Sequence, residues 1–488
     1  MNYTDFLKMI PEAVLTAILI ITFVADFASA KTPQRKWMNP LVSAMFFALT
    51  VVCLLPLKPV SAFGDMYVTS TAVNVMKAIL ALGSTIVVIQ SRAWAEKSGK
   101  EGEFYMLLTS TLLGMFVMMS AGNFLMFFLG LEMASVPLAT MVAFDIKRND
   151  SAEGAAKFIL TATFSSGVML YGISFIYGAC GTLYFNDVCK AVFGIFGQTD
   201  TSKMLLPVMG LVFFFSGLGF KISLVPFHFW TADTYQGAPT TVTGYLSVIS
   251  KGAAAFTLLS ILFHVFLPMS QYWHVLLMIV VVLSITVANL FAIRQGELKR
   301  FMAFSSISQA GYIMLAAIGN SWETSVTALS YYVLIYVVAN MAVFSIIAVV
   351  EQNNGGKTNI DDYNGFYKTN PKLSFLMTLA MFSLGGIPPF AGMFSKFFVF
   401  MAGVEGSDIH TTLGAWGYAV VFIALLNTVV SLYYYLKIVK AMYIKHSDNP
   451  LPTFQSDGNT KFALALCTTG ILLFGICSCI YNWIATAA

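Results

Sequence analysis

Phe124-Leu-Met-Phe-Phe-Leu-Gly-Leu-Glu132-Met-Ala-Ser-Val-Pro137 sets a lone carboxylate inside an otherwise apolar stretch. That conflict decides how the chain is read. A soluble domain interleaves polar faces with its core, whereas here the apolar run continues from 123 to 144. At 1.5 Å per residue it is long enough to cross ~30 Å of hydrocarbon. A carboxylate in such a place costs at least ~2.5–3.5 kcal/mol and needs a reason.

Runs of the same kind fall at 11–30, 38–57, 71–91, 104–121, 123–144, 155–178, 204–230, 240–266, 272–293, 301–319, 324–350, 373–402, 414–439 and 462–484. The fold class is therefore all-α integral membrane, with about fourteen transmembrane helices. Composition agrees: of 488 residues 58% are hydrophobic and 10% charged, against roughly 25% charged in a soluble domain. A net charge of +4, spread over loops, gives no support to nucleic-acid binding. The partner that composition implies is the lipid bilayer.

Lys and Arg sort by loop. Those after runs 1, 3, 5, 9, 11 and 13 carry Lys31/Arg35/Lys36, Arg92/Lys97/Lys100, Lys147/Arg148, Arg294/Lys299/Arg300, Lys357/Lys368/Lys372 and Lys440/Lys445/Lys461. The loop after run 2 has Lys58, the one after run 6 has Lys190 and Lys203, and those after runs 4, 8, 10 and 12 have none. By the positive-inside rule the odd loops are cytoplasmic and both termini face outward. Lys31, Arg35 and Lys36 also argue that 11–30 is an uncleaved helix, although Ala28-Ser29-Ala30 resembles a signal-peptidase site.

The six cysteines form no Cys-x-x-Cys pair; Cys477 and Cys479 are expected in one apolar helix, pointing to different faces. No Gly-rich nucleotide loop, haem or zinc motif is present in the sequence. No cofactor is expected in this chain.

Besides Glu132, three charges stand out well inside runs: Lys221, Lys251 and Lys396. Glu132 and Lys221 have opposite signs, and one reading is a structural ion pair between the fifth and seventh helices. Three lysines to one glutamate fit that reading poorly. Desolvation disfavours the ammonium form, so a lysine kept from water can release and recapture a proton. A row of such groups makes a proton relay. Lys77, near the end of its run, is expected to reach the interface. His228 is either a proton carrier or a hydrogen-bonded spacer. His264 and His274 are read as interface residues; Asn289, Asn340 and Asn427 can hold interhelical hydrogen bonds or water, with packing as the default reading.

Two runs are interrupted: the seventh at Pro226, beside Lys221, and the twelfth at Gly385-Gly386-Ile-Pro388-Pro389-Phe-Ala-Gly392, before Lys396. Proline removes a backbone hydrogen bond, and the freed carbonyl must face protein or water. The breaks lie five helices apart, and five is odd, which implies inverted five-helix repeats, helices 4–8 and 9–13. The expected divisions are 1–103, a three-helix segment; 104–266, the first repeat; 272–441, the second; and 442–488, the last helix.

Phe220-Lys221-Ile-Ser-Leu-Val-Pro226-Phe-His228-Phe-Trp230-Thr-Ala-Asp233-Thr-Tyr-Gln-Gly237-Ala-Pro239-Thr240, running on to Ser250-Lys251-Gly-Ala-Ala-Ala-Phe256, resembles the helix 7–8 signature of the antiporter-like membrane subunits of complex I, the proton-pumping NADH:quinone oxidoreductase. Gly130-Leu-Glu132, Ser135-Val-Pro137-Leu and Leu384-Gly-Gly-Ile-Pro-Pro-Phe-Ala-Gly392-Met-Phe-Ser-Lys396 extend the similarity over nearly the whole chain. Many relatives have Pro where Ala232 stands and Glu where Gln236 stands. The resemblance implies that Glu132, Lys221, Lys251 and Lys396 form a proton-translocating axis, with His228 beside it. It implies other complex I membrane subunits as partners, NADH, flavin, iron–sulfur clusters and quinone held by other subunits, and a bacterial cytoplasmic (inner) membrane. The absence of a long amphipathic extension after the last run separates the chain from members that carry one. The alternatives are a subunit of a multi-subunit cation/proton antiporter and a purely structural subunit.

Overall fold

The structure is a computed structural model that describes residues 3–29, 35–197, 201–447, 450–477 and 479–488. Ala30 and Lys31, which the sequence reading placed at the end of the first run and in the first loop, lie outside the described residues.

The chain is helical nearly throughout. It opens with α1 (Ile10–Ala28) and α2 (Met38–Leu54), then a short antiparallel hairpin of β1 (Val60–Ala62) and β2 (Tyr67–Thr69). There follow α3 (Thr71–Ser98), α4 (Glu101–Met119), α5 (Phe124–Val142), α6 (Asn149–Cys180) and the short α7 (Phe185–Phe196). The seventh run is split into α8 (Leu205–Ile222) and α9 (Phe229–Gly237). The eighth consists of α10 (Thr240–Tyr245), a π-turn over Leu246–Ser250 and α11 (Lys251–His264). Next come α12 (Ser270–Ile293), α13 (Leu298–Leu315), α14 (Trp322–Asn353) and the single turn α15 (Phe366–Thr369). The twelfth run is split into α16 (Pro371–Gly385) and α17 (Ala391–Val404), and α18 (Thr412–Tyr443), α19 (Gly458–Ile476) and α20 (Cys479–Ala485) complete the chain.

Among the described residues twelve helices are long and apolar enough to span a bilayer, with Met38–Leu54, Pro371–Gly385 and Ala391–Val404 as shorter apolar helices. The all-α membrane class stands. Side-chain caps mark several starts: Ser70 accepts from Val73 N at 3.3 Å, and Asn123 from Leu125 N at 2.7 Å. Asn123 closes the four-residue turn between α4 and α5.

The centre of the bundle is made by α3, α13 and α14. Phe301–Ile318 is wholly buried, and the apolar stretches of α3 and α14 nearly so. By contrast α1 turns Ile20, Phe23, Val24 and Phe27 outward, as a lipid-facing helix must. The odd loops converge on one face: Arg148, Lys299 and Glu351 meet there, as do Asp361 and Lys445. The hairpin, α7 and the α4–α5 turn join on the other, through Gly122 N to Met66 O and Phe124 N to Leu183 O.

Four expectations need correction. The last run, 462–484, is two helices, so Cys477 and Cys479 flank a break instead of sharing a helix. The hairpin and α7 were unforeseen, because short apolar–polar segments between long runs carry no distinct period. Lys77 does not reach the interface: it is fully buried and paired with Glu12. His274 is also buried, its ring tilted against Trp273, whereas His264 is exposed as expected.

Candidate functional site

The first break builds the surroundings of Lys221. α8 stops where Ser223 adopts a φ of +68°, and the chain closes with Leu224 N donating to Gly219 O at 2.8 Å. Lys221, in the last turn, is 4% exposed, and its Nζ donates to Ser135 Oγ on α5 at 2.7 Å. Ser135 passes its own hydrogen to Leu131 O at 2.7 Å, which leaves its oxygen free to accept. Glu132, half-buried on the same helix, accepts from Ser166 Oγ of α6. It is close enough to act on Lys221 electrostatically, yet among the described residues the two form no ion pair. The structural lock between the fifth and seventh helices is therefore not made.

Beyond the break, His228 takes the cap position of α9 and is 7% exposed. Its Nδ1, Ser223 Oγ and Thr231 Oγ1 are all buried without a hydrogen-bond partner among the described residues. A buried polar group left unsatisfied costs about 1–3 kcal/mol, and ordered water is the usual remedy. His228 also lies within electrostatic reach of Lys251.

Lys251 follows directly on the π-turn, the kind of helix irregularity that recurs at functional sites. It is 1% exposed. Its Nζ donates to Ser306 Oγ of α13 at 2.8 Å, and Ser306 donates to the π-turn carbonyl of Ser247 at 3.3 Å. Tyr235 OH lies 3.3 Å from the same Ser306 oxygen. Asn340 of α14 donates to Ser247 Oγ, joining α14 to this cluster.

From Ser306 a polar seam follows α13. Ser305 bonds Tyr435 OH, which also accepts from Gln309 Nε2 at 3.1 Å. Gln309 accepts from Tyr332 OH and donates to Leu384 O at 3.2 Å, at the rim of the second break. Ser305, Gln309 and Tyr312 are spaced i, i+4, i+7 and so share one helix face. The seam ends at a cavity of about 10 Å³ lined by Gln309, Tyr332, Ser383, Ser395 and Lys396, room for about one water.

In the second break Gly386 takes a φ of +83°, and a Cβ there would lie 3.1 Å from Lys396 Cδ. Gly392 passes so close to Ser383 that a Cβ would fall 1.7 Å from its carbonyl oxygen. Lys396, 4% exposed, reaches back from α17 and donates to Gly385 O at 3.2 Å. The carbonyl freed by the break thus accepts from the lysine. Lys221 precedes its break; Lys396 follows its own.

Of the five residues singled out in the sequence, Lys251 and Lys396 stand at the two ends of this seam, Lys221 and Glu132 face α5 and α6 through Ser135 and Ser166, and His228 lies beyond the first break. Sequence reasoning missed Ser135, Ser166, Tyr235, Ser306, Gln309, Tyr332 and Tyr435. The one available signal was Ser305-Ser-Ile-Ser-Gln309 inside an apolar run. It also missed two charge clusters, the first buried and the second half-buried. Glu12 accepts from Lys77 Nζ at 2.6 Å and Tyr67 OH at 3.0 Å. Glu351 accepts from Arg148 at 2.9 Å, lies 3.5 Å from Lys299 Nζ, and accepts from Thr240. The asparagines do more than pack: Asn289 donates to Asn427 Oδ1 at 3.1 Å, linking α12 and α18.

Residues 121–422 match the family described as NADH:quinone oxidoreductase/Mrp antiporter, TM. A NADH-quinone oxidoreductase subunit N of Phocaeicola vulgatus is 52% identical, with both chains covered in full. The chain belongs to the NADH:quinone oxidoreductase/Mrp antiporter family. A second member, the NADH-quinone oxidoreductase subunit N of Parvibaculum lavamentivorans, is 34% identical over 91% of this chain and 89% of its own length. Among solved structures of the antiporter family's fold, a chain of respiratory complex I from Thermus thermophilus superposes with a TM-score of 0.78 at 27% identity, covering 98% of this chain and 100% of that one. A chain of the Mrp complex from Dietzia sp. reaches 0.80 at 17% identity, covering 98% and 96%, a likeness of fold alone.

Proposed function

We propose that this chain is subunit N of a proton-pumping NADH:quinone oxidoreductase, a membrane subunit that carries protons while other subunits bind NADH, flavin, iron–sulfur clusters and quinone. One observation carries the mechanism. Lys221, Lys251 and Lys396 are buried, and each donates to a neutral hydroxyl or carbonyl, with no carboxylate ion pair among the described residues. A carboxylate in contact would hold each proton in place; a hydroxyl accepts, donates and passes it on.

In this scheme quinone reduction elsewhere alters the charge facing Glu132, and with it the hold on Lys221. Its proton moves past Ser223, His228 and Thr231, whose unpartnered atoms suit bridging water, towards Lys251. When Lys251 is neutral its amine accepts from Ser306, and Ser306 turns its oxygen to the next donor. The α13 seam then leads to Lys396, which serves as the outlet or the link to the next subunit. Divisions at 104–266 and 272–441 are supported by one interrupted, lysine-bearing helix in each. With Met38–Leu54 and the α16–α17 pair each taken as one crossing, the helix number reaches fourteen. The bacterial inner membrane, with both termini on the outer side, is the location that the loop charges support.

Substituting Lys221→Ala in the assembled complex tests the scheme: protons moved per NADH oxidised fall, and normal pumping overturns it. The matched family, which also takes in Mrp antiporters, favours a second reading, a subunit of a cation/proton antiporter. Sodium-sensitive growth at high pH after deletion, with normal NADH oxidation, would support that reading.

A further inference from the structure

Three buried lysines lie over tyrosine rings. Lys77 Nζ is 5.4 Å from the Tyr67 centroid, Lys251 Nζ 5.3 Å from that of Tyr235, and Lys396 Nζ 5.0 Å from that of Tyr312. All three fall within the ~6 Å over which a ring face attracts a cation. Their other partners differ. Lys77 is held by the Glu12 carboxylate as well. Lys251 and Lys396 have no carboxylate partner among the described residues. Lys221, which has Glu132 within electrostatic reach, has no ring contact of this kind among them. Along the axis, carboxylate and ring take each other's place.

We propose that Tyr235 and Tyr312 are ammonium-positioning residues of the proton axis, in which the ring face works and the hydroxyl anchors it. The proposal rests on reading Lys251 and Lys396 as proton carriers. A full counter-charge in a dry interior would pin a proton on the lysine. A ring quadrupole attracts the ammonium far less strongly, so it steadies the charged state and still lets the proton leave.

The hydroxyl geometry fixes both rings. Ser306 Oγ accepts from Lys251 and gives its own hydrogen to Ser247 O, so Tyr235 OH donates to Ser306. The ring of α9 is thereby tied to the α13 serine that also receives the α11 lysine. Tyr312 OH donates to Ala424 O at 3.3 Å and accepts from Thr428 Oγ1 at 3.2 Å, both on α18. Both tyrosines are fully buried, so neither ring has room to swing aside.

The test uses the whole complex in sealed membrane vesicles, with protons moved per NADH oxidised as the readout and complex assembly checked on native gels. Tyr235→Phe and Tyr312→Phe keep the ring and should retain at least half of the wild-type ratio. Tyr235→Leu and Tyr312→Leu remove it and should slow proton transfer about tenfold or more, the scale of a desolvated cation–π contact. Tyr235→Met and Tyr312→Met, flexible and ringless, repeat the measurement if a leucine variant does not assemble. Phe variants as impaired as Leu variants would make the hydroxyl the working part and overturn the proposal. So would Leu variants with wild-type pumping. Lys251→Ala and Lys396→Ala, measured alongside, keep the two levels apart: normal pumping in these defeats the proton axis itself, whereas their loss beside normal Leu variants defeats only the role of the rings.

Discussion

Replacing Ser306 by alanine removes the hydroxyl into which Lys251 donates at 2.8 Å and to which Tyr235 also donates. Ser306 is 1% exposed, so solvent does not stand in for it. A hydrogen bond to a charged group is worth about 1.5–3 kcal/mol, and each ~1.4 kcal/mol is tenfold in rate. If passage through charged Lys251 limits transfer, Ser306→Ala should slow pumping by about ten- to a hundredfold. Ser306→Thr keeps the hydroxyl and should stay within a few-fold of wild type. The assay is stopped-flow acidification of the lumen of inverted vesicles after NADH addition, with NADH oxidation followed in parallel. An assembled Ser306→Ala complex that pumps at the wild-type rate would refute the relay through α13.

Lys77→Met leaves Glu12 buried without its cation, and breaking a buried pair in this way costs about 3–5 kcal/mol. The expected outcome is a lower thermal midpoint and less assembled complex, with an unchanged proton-to-NADH ratio in whatever assembles; Glu12→Gln together with Lys77→Met should recover much of the midpoint. Gly386→Ala forces a side chain into a φ of +83° and sets a Cβ 3.1 Å from Lys396 Cδ. Holding a non-glycine residue there costs about 1–3 kcal/mol, and displacement of Lys396 from Gly385 O should lower pumping in native-gel-positive complexes, whereas Gly356→Ala, whose Cβ would meet nothing within 4 Å, should leave pumping intact.

The parts of this protein that were legible in the sequence are those where lipid makes a residue expensive. Glu132, Lys221, Lys251 and Lys396 stood out because a charge in an apolar run is costly, and Pro226 and Pro388 marked the breaks because proline forfeits a hydrogen bond. Hydroxyls carry no such mark. Ser135, Ser306 and Tyr235 resemble ordinary helix-packing residues, and only the fold brings Ser306 to Lys251 across 55 positions of chain. Lys77 was misread because its place near the end of a run permits snorkelling, while its partner Glu12 lies 65 residues away. The π-turn before Lys251 left no signal, since Leu246-Ser-Val-Ile-Ser250 fits an ordinary helix equally well.

Arginine at position 221 separates proton exchange from mere positive charge. A guanidinium stays protonated in proteins, so Lys221→Arg keeps the cation beside Ser135 and Glu132 but cannot release a proton. The decisive quantity is the proton-to-NADH ratio of assembled Lys221→Arg complex in sealed vesicles. A ratio as low as that of Lys221→Ala is the expected result. A wild-type ratio would mean that the buried charge, and not its proton, is what this helix requires.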